Sequence, residues 1–141
     1  MRDFLIFSLI SLFVFSCDAQ QKKSPVHAGN LEKTTKIRVI STQEFKSKLK
    51  ENVQLIDVRT PSEFSEGYIS NAENINLMNS DFEDEIENLD KEKPVYIYCR
   101  SGQRSNKAAK KMIELGFKEI YDLEGGITSW EKHGENVERN K

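Results

Sequence analysis

Cysteine is scarce in this 141-residue chain, which has only Cys17 and Cys99. Two cysteines make no disulfide scaffold, and a bridge between them would tie a leader boundary to a domain interior. Histidine is equally sparse, with His27 and His133 in unpromising contexts, so with one available thiol no metal cluster is expected. No phosphate-binding glycine-rich nucleotide motif and no internal repeat is present, and no cofactor is implied. An excess of one charge is also missing: 21 basic against 23 acidic residues leave a net charge of −2, which gives no electrostatic case for nucleic acid. Pairs such as Lys22-Lys23 and Lys110-Lys111 read as solvated surface. Nor does any apolar run reach the roughly 20 residues of a comfortable membrane span.

The longest such run, Phe4 to Ser16, is thirteen residues without a charge and follows Arg2. It fits the apolar core of a signal peptide, although Asp3 thins the positive region before it. Val14-Phe15-Ser16-Cys17 resembles a bacterial lipobox, with a small residue before the cysteine that becomes acylated and a Phe15 bulkier than usual. The expectation is a signal over residues 1–16, lipidation at Cys17 and export, with the domain held to a bacterial membrane in the periplasm or at the cell surface. Acylation of Cys17 would leave Cys99 as the lone thiol of an exported chain, a reactive group worth following. Residues 17–36 are rich in Gln, Lys, Ser, Asn and Thr, with Pro25 and Gly29, and read as a flexible tether. His27 belongs to that tether.

From Ile37 short apolar runs alternate with helical patterns, the mark of an α/β fold with a mainly parallel sheet covered on both faces. Strands are expected at Ile37–Ile40, Val53–Val58, Ala72–Ile75, Val95–Tyr98 and Ile120–Leu123. Ser41 with Glu44 and Ser80 with Glu83 read as capping boxes, the first before a helix around Glu44–Lys50 and the second before an acidic helix ending near Leu89. Thr60-Pro61-Ser62-Glu63 combines a cap, a proline at the first helical position and a reciprocal glutamate. A helix from Gln103 to Leu115 stops at Gly116, Gly125-Gly126 make a turn, and Ile127–His133 a last short helix. The domain is expected over residues 37–135, with a tail at 136–141, and to work as a monomer.

The chemistry lies in Cys99-Arg100-Ser101-Gly102-Gln103-Arg104-Ser105, between the clearest strand and the clearest helix. Open α/β sheets bind ligands where strand ends meet helix amino termini. A loop there can curl its N–H groups around an anion, with Gly102 supplying a conformation other residues avoid. The helix dipole adds about half a positive charge, and Arg104 a full one. These features favour the thiolate, the nucleophilic form of cysteine, and would stabilise a persulfide formed on it. An inert, buried strand-end cysteine is the alternative, against which the neighbouring Gly, Arg and Ser residues argue.

Cys-x-x-Gly-x-Arg-Ser resembles the active loop of single-domain rhodaneses, the thiosulfate sulfurtransferase family. Leu55-Ile56-Asp57-Val58-Arg59, Glu63-Phe64, Gly67-Tyr68-Ile69, Ala72-Glu73-Asn74-Ile75 and Leu123-Glu124-Gly125-Gly126-Ile127 with Trp130 resemble further landmarks of that family, in order. The resemblance covers about residues 37–135. It implies a five-stranded parallel sheet in the order 3-2-4-5-1 between helices, and an enzyme that moves a sulfane sulfur from a small donor such as thiosulfate to a thiol or cyanide-like acceptor. It makes Cys99 and Arg104 catalytic, with Arg100, Ser101, Gly102, Gln103 and Ser105 as the substrate-binding loop. Tyr68 departs from the family's usual histidine at a position that is mostly structural. Asp57, Arg59 and Glu63 read as a polar network bracing the loop after the second strand, and Trp130 and His133 as packing and surface residues.

Two other readings stand beside this one. Cys-dependent phosphatases and arsenate reductases use a Cys-x5-Arg loop, but only four residues separate Cys99 from Arg104 here, and the shorter loop suits a smaller group than phosphate. A domain that carries a persulfide or binds a partner without turnover would keep the same residues.

Overall fold

The computed structural model describes residues 36–50 and 52–139. The expected signal, Cys17, nearly all of the tether with His27, and the last two residues lie outside them. Among the described residues no helix is long and apolar enough to cross a membrane.

The chain runs β1 (Lys36–Ile40), α1 (Thr42–Lys48), β2 (Gln54–Asp57), α2 (Pro61–Glu66), β3 (Glu73–Asn74), α3 (Phe82–Ile86), β4 (Val95–Tyr98), α4 (Gln103–Glu114), β5 (Glu119–Leu123) and α5 (Gly126–Lys132). Local chemistry sets most boundaries. The Ser41 hydroxyl accepts the Glu44 N–H at 3.3 Å, so α1 begins at Thr42, two residues before the expected start. Thr60 and Glu63 form the full reciprocal box over α2, with Pro61 in the first turn, where its missing N–H costs nothing. The Ser80–Glu83 box does not form. Asp81 precedes α3 without a side-chain cap, and after Ile86 the chain tightens, the Leu89 N–H reaching Ile86 O at 3.1 Å, so this helix stops short of Leu89. Gly116, at φ +97°, ends the run of α4.

All five strands are parallel, in the order β1-β5-β4-β2-β3, which is 3-2-4-5-1 read from the other edge. β4 is central and buried on both faces. Val95 and Ile97 join Ile56, Ile120 and the α4 residues Ala108, Ala109 and Met112 in one core layer, and Tyr96 and Tyr98 join Phe45, Leu123, Ile127 and Trp130 in the other. In that second layer the fully buried Phe45 meets Tyr96 and Trp130 edge-on, with centroids 5.7 and 6.4 Å away. Truncating such a ring costs about 3–5 kcal/mol.

The ordered contacts continue past the boundary expected at 135. Tyr68 and Glu138 exchange both backbone hydrogen bonds, at 2.9 and 2.8 Å, the Trp130 Nε1–H donates to Asn136 O at 2.9 Å, and Val137 packs on the second core layer. Residues 136–138 thus belong to the fold rather than to a tail. One apolar side chain and several hydrogen bonds hold them there, among them one from the Ser70 hydroxyl to the Glu138 carboxylate.

Candidate active site

β4 delivers Cys99 to the carboxyl edge of the sheet, where it is 1% exposed. The next three residues turn sharply, and Gly102, at φ +95°, caps α4 in the left-handed region that a side chain would resist. That turn aims the Gly102 N–H at the Cys99 sulfur, Sγ lying 3.1 Å from the nitrogen. From the first turn of α4 the Ser105 hydroxyl reaches the same sulfur at 3.5 Å and Gly102 O at 3.2 Å. Ser105 is fully buried and meets the sulfur from the first turn of α4.

A loop can point N–H groups inward only if its carbonyls go elsewhere. The start of α5 takes them: the Ile127 N–H donates to Cys99 O at 2.9 Å and the Thr128 N–H to Arg100 O at 3.2 Å. Gly126 makes this approach possible. A Cβ there would lie 2.3 Å from Cys99 O and 2.7 Å from the Arg100 carbonyl. Gly125-Gly126 is therefore the clasp of the nucleophile loop as well as a turn. Consecutive glycines separated by one residue from the end of a buried strand are the signal for it.

Arg104 does not hydrogen-bond the sulfur. Its guanidinium forms a fork with Glu63, Nη1 to Oε2 at 2.7 Å and Nη2 to Oε1 at 2.6 Å, which ties α4 to α2. Arg104 and the capping bonds from Thr60 hold the Glu63 carboxyl down at about 2, well below the usual carboxylate range, and Glu63 in turn raises Arg104 above its ordinary value. In this structure the Arg104 guanidinium is thus engaged by Glu63, and its charge lies close enough to Cys99 to act on it. Glu63 belongs to this clamp rather than to the Asp57–Arg59 network.

That network is otherwise as expected. Arg59 donates from Nε to both Asp57 oxygens at 2.9 Å and from Nη2 to Asp57 Oδ2 at 2.6 Å and Gly67 O at 2.7 Å, all of it buried. Burial opposes the Arg59 charge, but the Asp57 hydrogen bonds and charge outweigh it and raise the guanidinium above its ordinary value. Tyr98 accepts the Ile69 N–H at 3.1 Å, and burial followed by the Asp57 charge keeps its phenol protonated. Tyr68 stacks on Phe64 with centroids 4.2 Å apart.

The loop separates two hollows. One, about 200 Å³, is bordered by Arg59, Glu63, Glu66, Arg100, Thr128 and Glu131. The other, about 510 Å³, is bordered by Val39, Ser101, Gly102, Gln103, Lys107 and Asp122. The expected substrate-binding residues are thus divided, Arg100 to one side and Ser101, Gly102 and Gln103 to the other. Asp122, a lone acid inside the buried run of β5, went unread in the sequence, though an acid among Ile120, Tyr121 and Leu123 is itself unusual. Burial raises its carboxyl to about 6, partly offset by the Ser105 hydroxyl. Among the described residues no three His, Cys, Asp or Glu side chains converge as a metal site would require.

The sequence matches the rhodanese-like domain family over residues 41–133. The chain belongs to that family. This rhodanese-like domain is 37% identical over 92 residues to the thiosulfate sulfurtransferase GlpE of Coxiella burnetii, covering 65% of this chain and 84% of that protein. It is 37% identical over 84 residues to a sulfurtransferase of Allochromatium vinosum, covering 60% and 77%. Among solved structures it resembles a rhodanese-like domain protein from Staphylococcus aureus, with a TM-score of 0.63, 34% identity, and 74% and 99% of the two chains covered. It also resembles the homodimeric polysulfide-sulfur transferase of Wolinella succinogenes, with a TM-score of 0.61, 31% identity, and 74% and 80% covered. Sulfurtransferase activity in general is what this kinship supports.

Proposed function

We propose that this rhodanese-like domain moves a sulfane sulfur through a persulfide on Cys99, from a small anionic donor such as thiosulfate to a thiol or cyanide-like acceptor. The observation that carries the reading is the Cys99 sulfur facing the Gly102 N–H at 3.1 Å, in a loop whose carbonyls are tied back by α5. That geometry favours an anionic sulfur. The Cys99 thiolate attacks the outer sulfur of the donor, the donor's S–S bond breaks, and, with thiosulfate, sulfite leaves with the electron pair. The acceptor then attacks the terminal sulfur of the persulfide and the Cys99 thiolate departs. A sulfur this deeply set admits the terminal sulfur of a donor more readily than a tetrahedral phosphate, and Arg100, which borders the smaller hollow, would offer its charge to the donor's anionic end.

The run ending at Cys17 supports a second part of the proposal: the chain is exported, acylated at Cys17 and held to a membrane, with the domain acting as a monomer on the outer side.

The test is an assay of the full chain with thiosulfate, polysulfide and mercaptopyruvate as donors and cyanide or a dithiol as acceptors, alongside an aryl phosphate. Transfer from at least one donor with negligible phosphate hydrolysis is expected. Robust phosphate hydrolysis would overturn the reading. Loading with sulfur that is released to no acceptor would favour a carrier.

A further inference from the structure

Asp122 has no part in the mechanism above, yet it is a buried titratable group on the same sheet face as the nucleophile. It pairs in register with Ile97 of β4, and Ile97 shares a core layer with Cys99, two residues on. Asp122 and Cys99 therefore project from the same sheet face as diagonal neighbours, beneath the first turn of α4. Asp122 is 2% exposed, and among the described residues its Oδ1 has no hydrogen-bond partner. A buried, unpaired carboxylate is costly enough to require an explanation.

Ser105 supplies one. Its hydroxyl lies against the Cys99 sulfur and Gly102 O, and it draws the Asp122 carboxyl down against the upward push of burial. A hydroxyl has one hydrogen to donate. An ionised Asp122 competes for that hydrogen and sets a negative charge near the sulfur. A protonated Asp122 donates to Ser105 Oγ instead and leaves the hydrogen for Sγ.

We propose that Asp122 is a positioning residue for sulfur transfer, acting through Ser105 to set how strongly the Cys99 sulfur is held as an anion. This deepens the sulfur-transfer reading and rests on it. Buried Asp122 titrates at about 6, so the switch falls within the pH range of a mildly acidic or neutral medium. The charged groups around it are few. α4 brings Lys107 and Lys110 to the hollow and the chain after β5 brings Glu124, all three exposed; the loop after β4 brings Cys99, and β1 only the apolar Val39. Burial thus governs its titration.

The experiment measures the rate of alkylation of Cys99 by iodoacetamide in the full chain as a function of pH, followed on the Cys99 peptide by mass. Asp122→Asn keeps the shape, removes the charge and offers a permanent N–H to Ser105. The expected ratio of variant to wild-type rate is level below about pH 5, steps with a midpoint near the Asp122 titration, and settles with the variant roughly tenfold faster at higher pH, the worth of one charge-assisted hydrogen bond. In a Ser105→Ala background the same substitution should produce a much smaller step. A flat ratio, or a full step without Ser105, overturns the inference. Should Asp122→Asn misfold, the carbon-13 shift of the wild-type Asp122 carboxyl decides the matter instead: its titration should move when Cys99 is alkylated, and independence of Cys99 would overturn the coupling. Alkylation reads the sulfur whether or not the chain transfers any, so a flat ratio with transfer intact removes only this role. An intact step without persulfide formation removes the transfer reading.

Discussion

Replacing Gly126 with alanine should disable the nucleophile loop while leaving the fold in place. The added Cβ would sit 2.3 Å from Cys99 O and 2.7 Å from the Arg100 carbonyl carbon and oxygen, all backbone atoms that cannot rotate away. Restoring ordinary contact requires the loop and α5 to part by about 1 Å, and a misplacement of that size at a reacting group costs roughly a hundredfold in rate. Left-handed backbone at φ +59° adds about 1–2 kcal/mol of strain, and the overpacking about 1–3 more. The expected outcome is a folded protein, several degrees less heat-stable, with sulfur transfer down about a hundredfold. Gly116→Ala is the control. Gly116 has the same kind of backbone, at φ +97°, but nothing within 4 Å of its would-be Cβ, so it should lose stability without losing activity. Initial rates with thiosulfate and cyanide, beside thermal unfolding, separate the two. A Gly126→Ala protein of near wild-type activity would refute the clasp, as would a Gly116→Ala protein equally inactive.

Other consequences concern charge and anchoring. The Glu63 carboxyl is held at about 2 against an ordinary 4.5, so its pairing with Arg104 stabilises the fold above about pH 4.5 and is lost as pH falls toward 2. Allowing for solvent screening of a partly exposed pair, Glu63→Gln should cost about 1–2 kcal/mol at neutral pH and almost nothing at pH 2, read by urea unfolding; a pH-independent deficit would contradict this. Asp122 has the opposite sign, its carboxyl raised from 3.8 to about 6, so the favourable contribution is complete below 3.8 and lost as pH rises through 6. Asp122→Asn should therefore be more stable than wild type above pH 6, by up to about 3 kcal/mol, and no more stable in acid; a constant difference across that range would be wrong for this site. Cys17→Ala should abolish fatty-acid labelling and detergent partitioning in a bacterial host, since several acyl chains at about 0.8 kcal/mol per methylene hold the wild type firmly; an unlabelled wild type would end the lipoprotein proposal.

The parts of this molecule that were legible in the sequence are those whose cause is local. The unbroken β-prone run Val95–Tyr98 could only be a buried strand, and Thr60-Pro61-Ser62-Glu63 carries its own cap. Cys99, Gly102 and Ser105 come together because a strand end, a left-handed residue and the first turn of a helix follow one another in the chain. What was misread depends on distant partners. Glu63 and Arg104 lie 41 positions apart, so nothing local announces that the arginine is engaged by a glutamate. Val137 and Glu138 look like tail until Gly67 and Tyr68 supply the surface they close against. Ser80 with Glu83 has the letters of a capping box, but α3 begins one residue too late to use them. Asp122 is a single acid among apolar neighbours, and only the β4–β5 register shows that it lies diagonal to the nucleophile.

The central claim, that Cys99 itself carries the sulfur, is tested most directly by mass. Wild-type protein incubated with thiosulfate or polysulfide should gain the mass of one sulfur atom on the Cys99 peptide, and cyanide should remove it as thiocyanate. Cys99→Ser, whose hydroxyl is not ionised at neutral pH, should fold and gain nothing. Full sulfur transfer by the Cys99→Ser protein would contradict the account, because the nucleophile would then lie elsewhere.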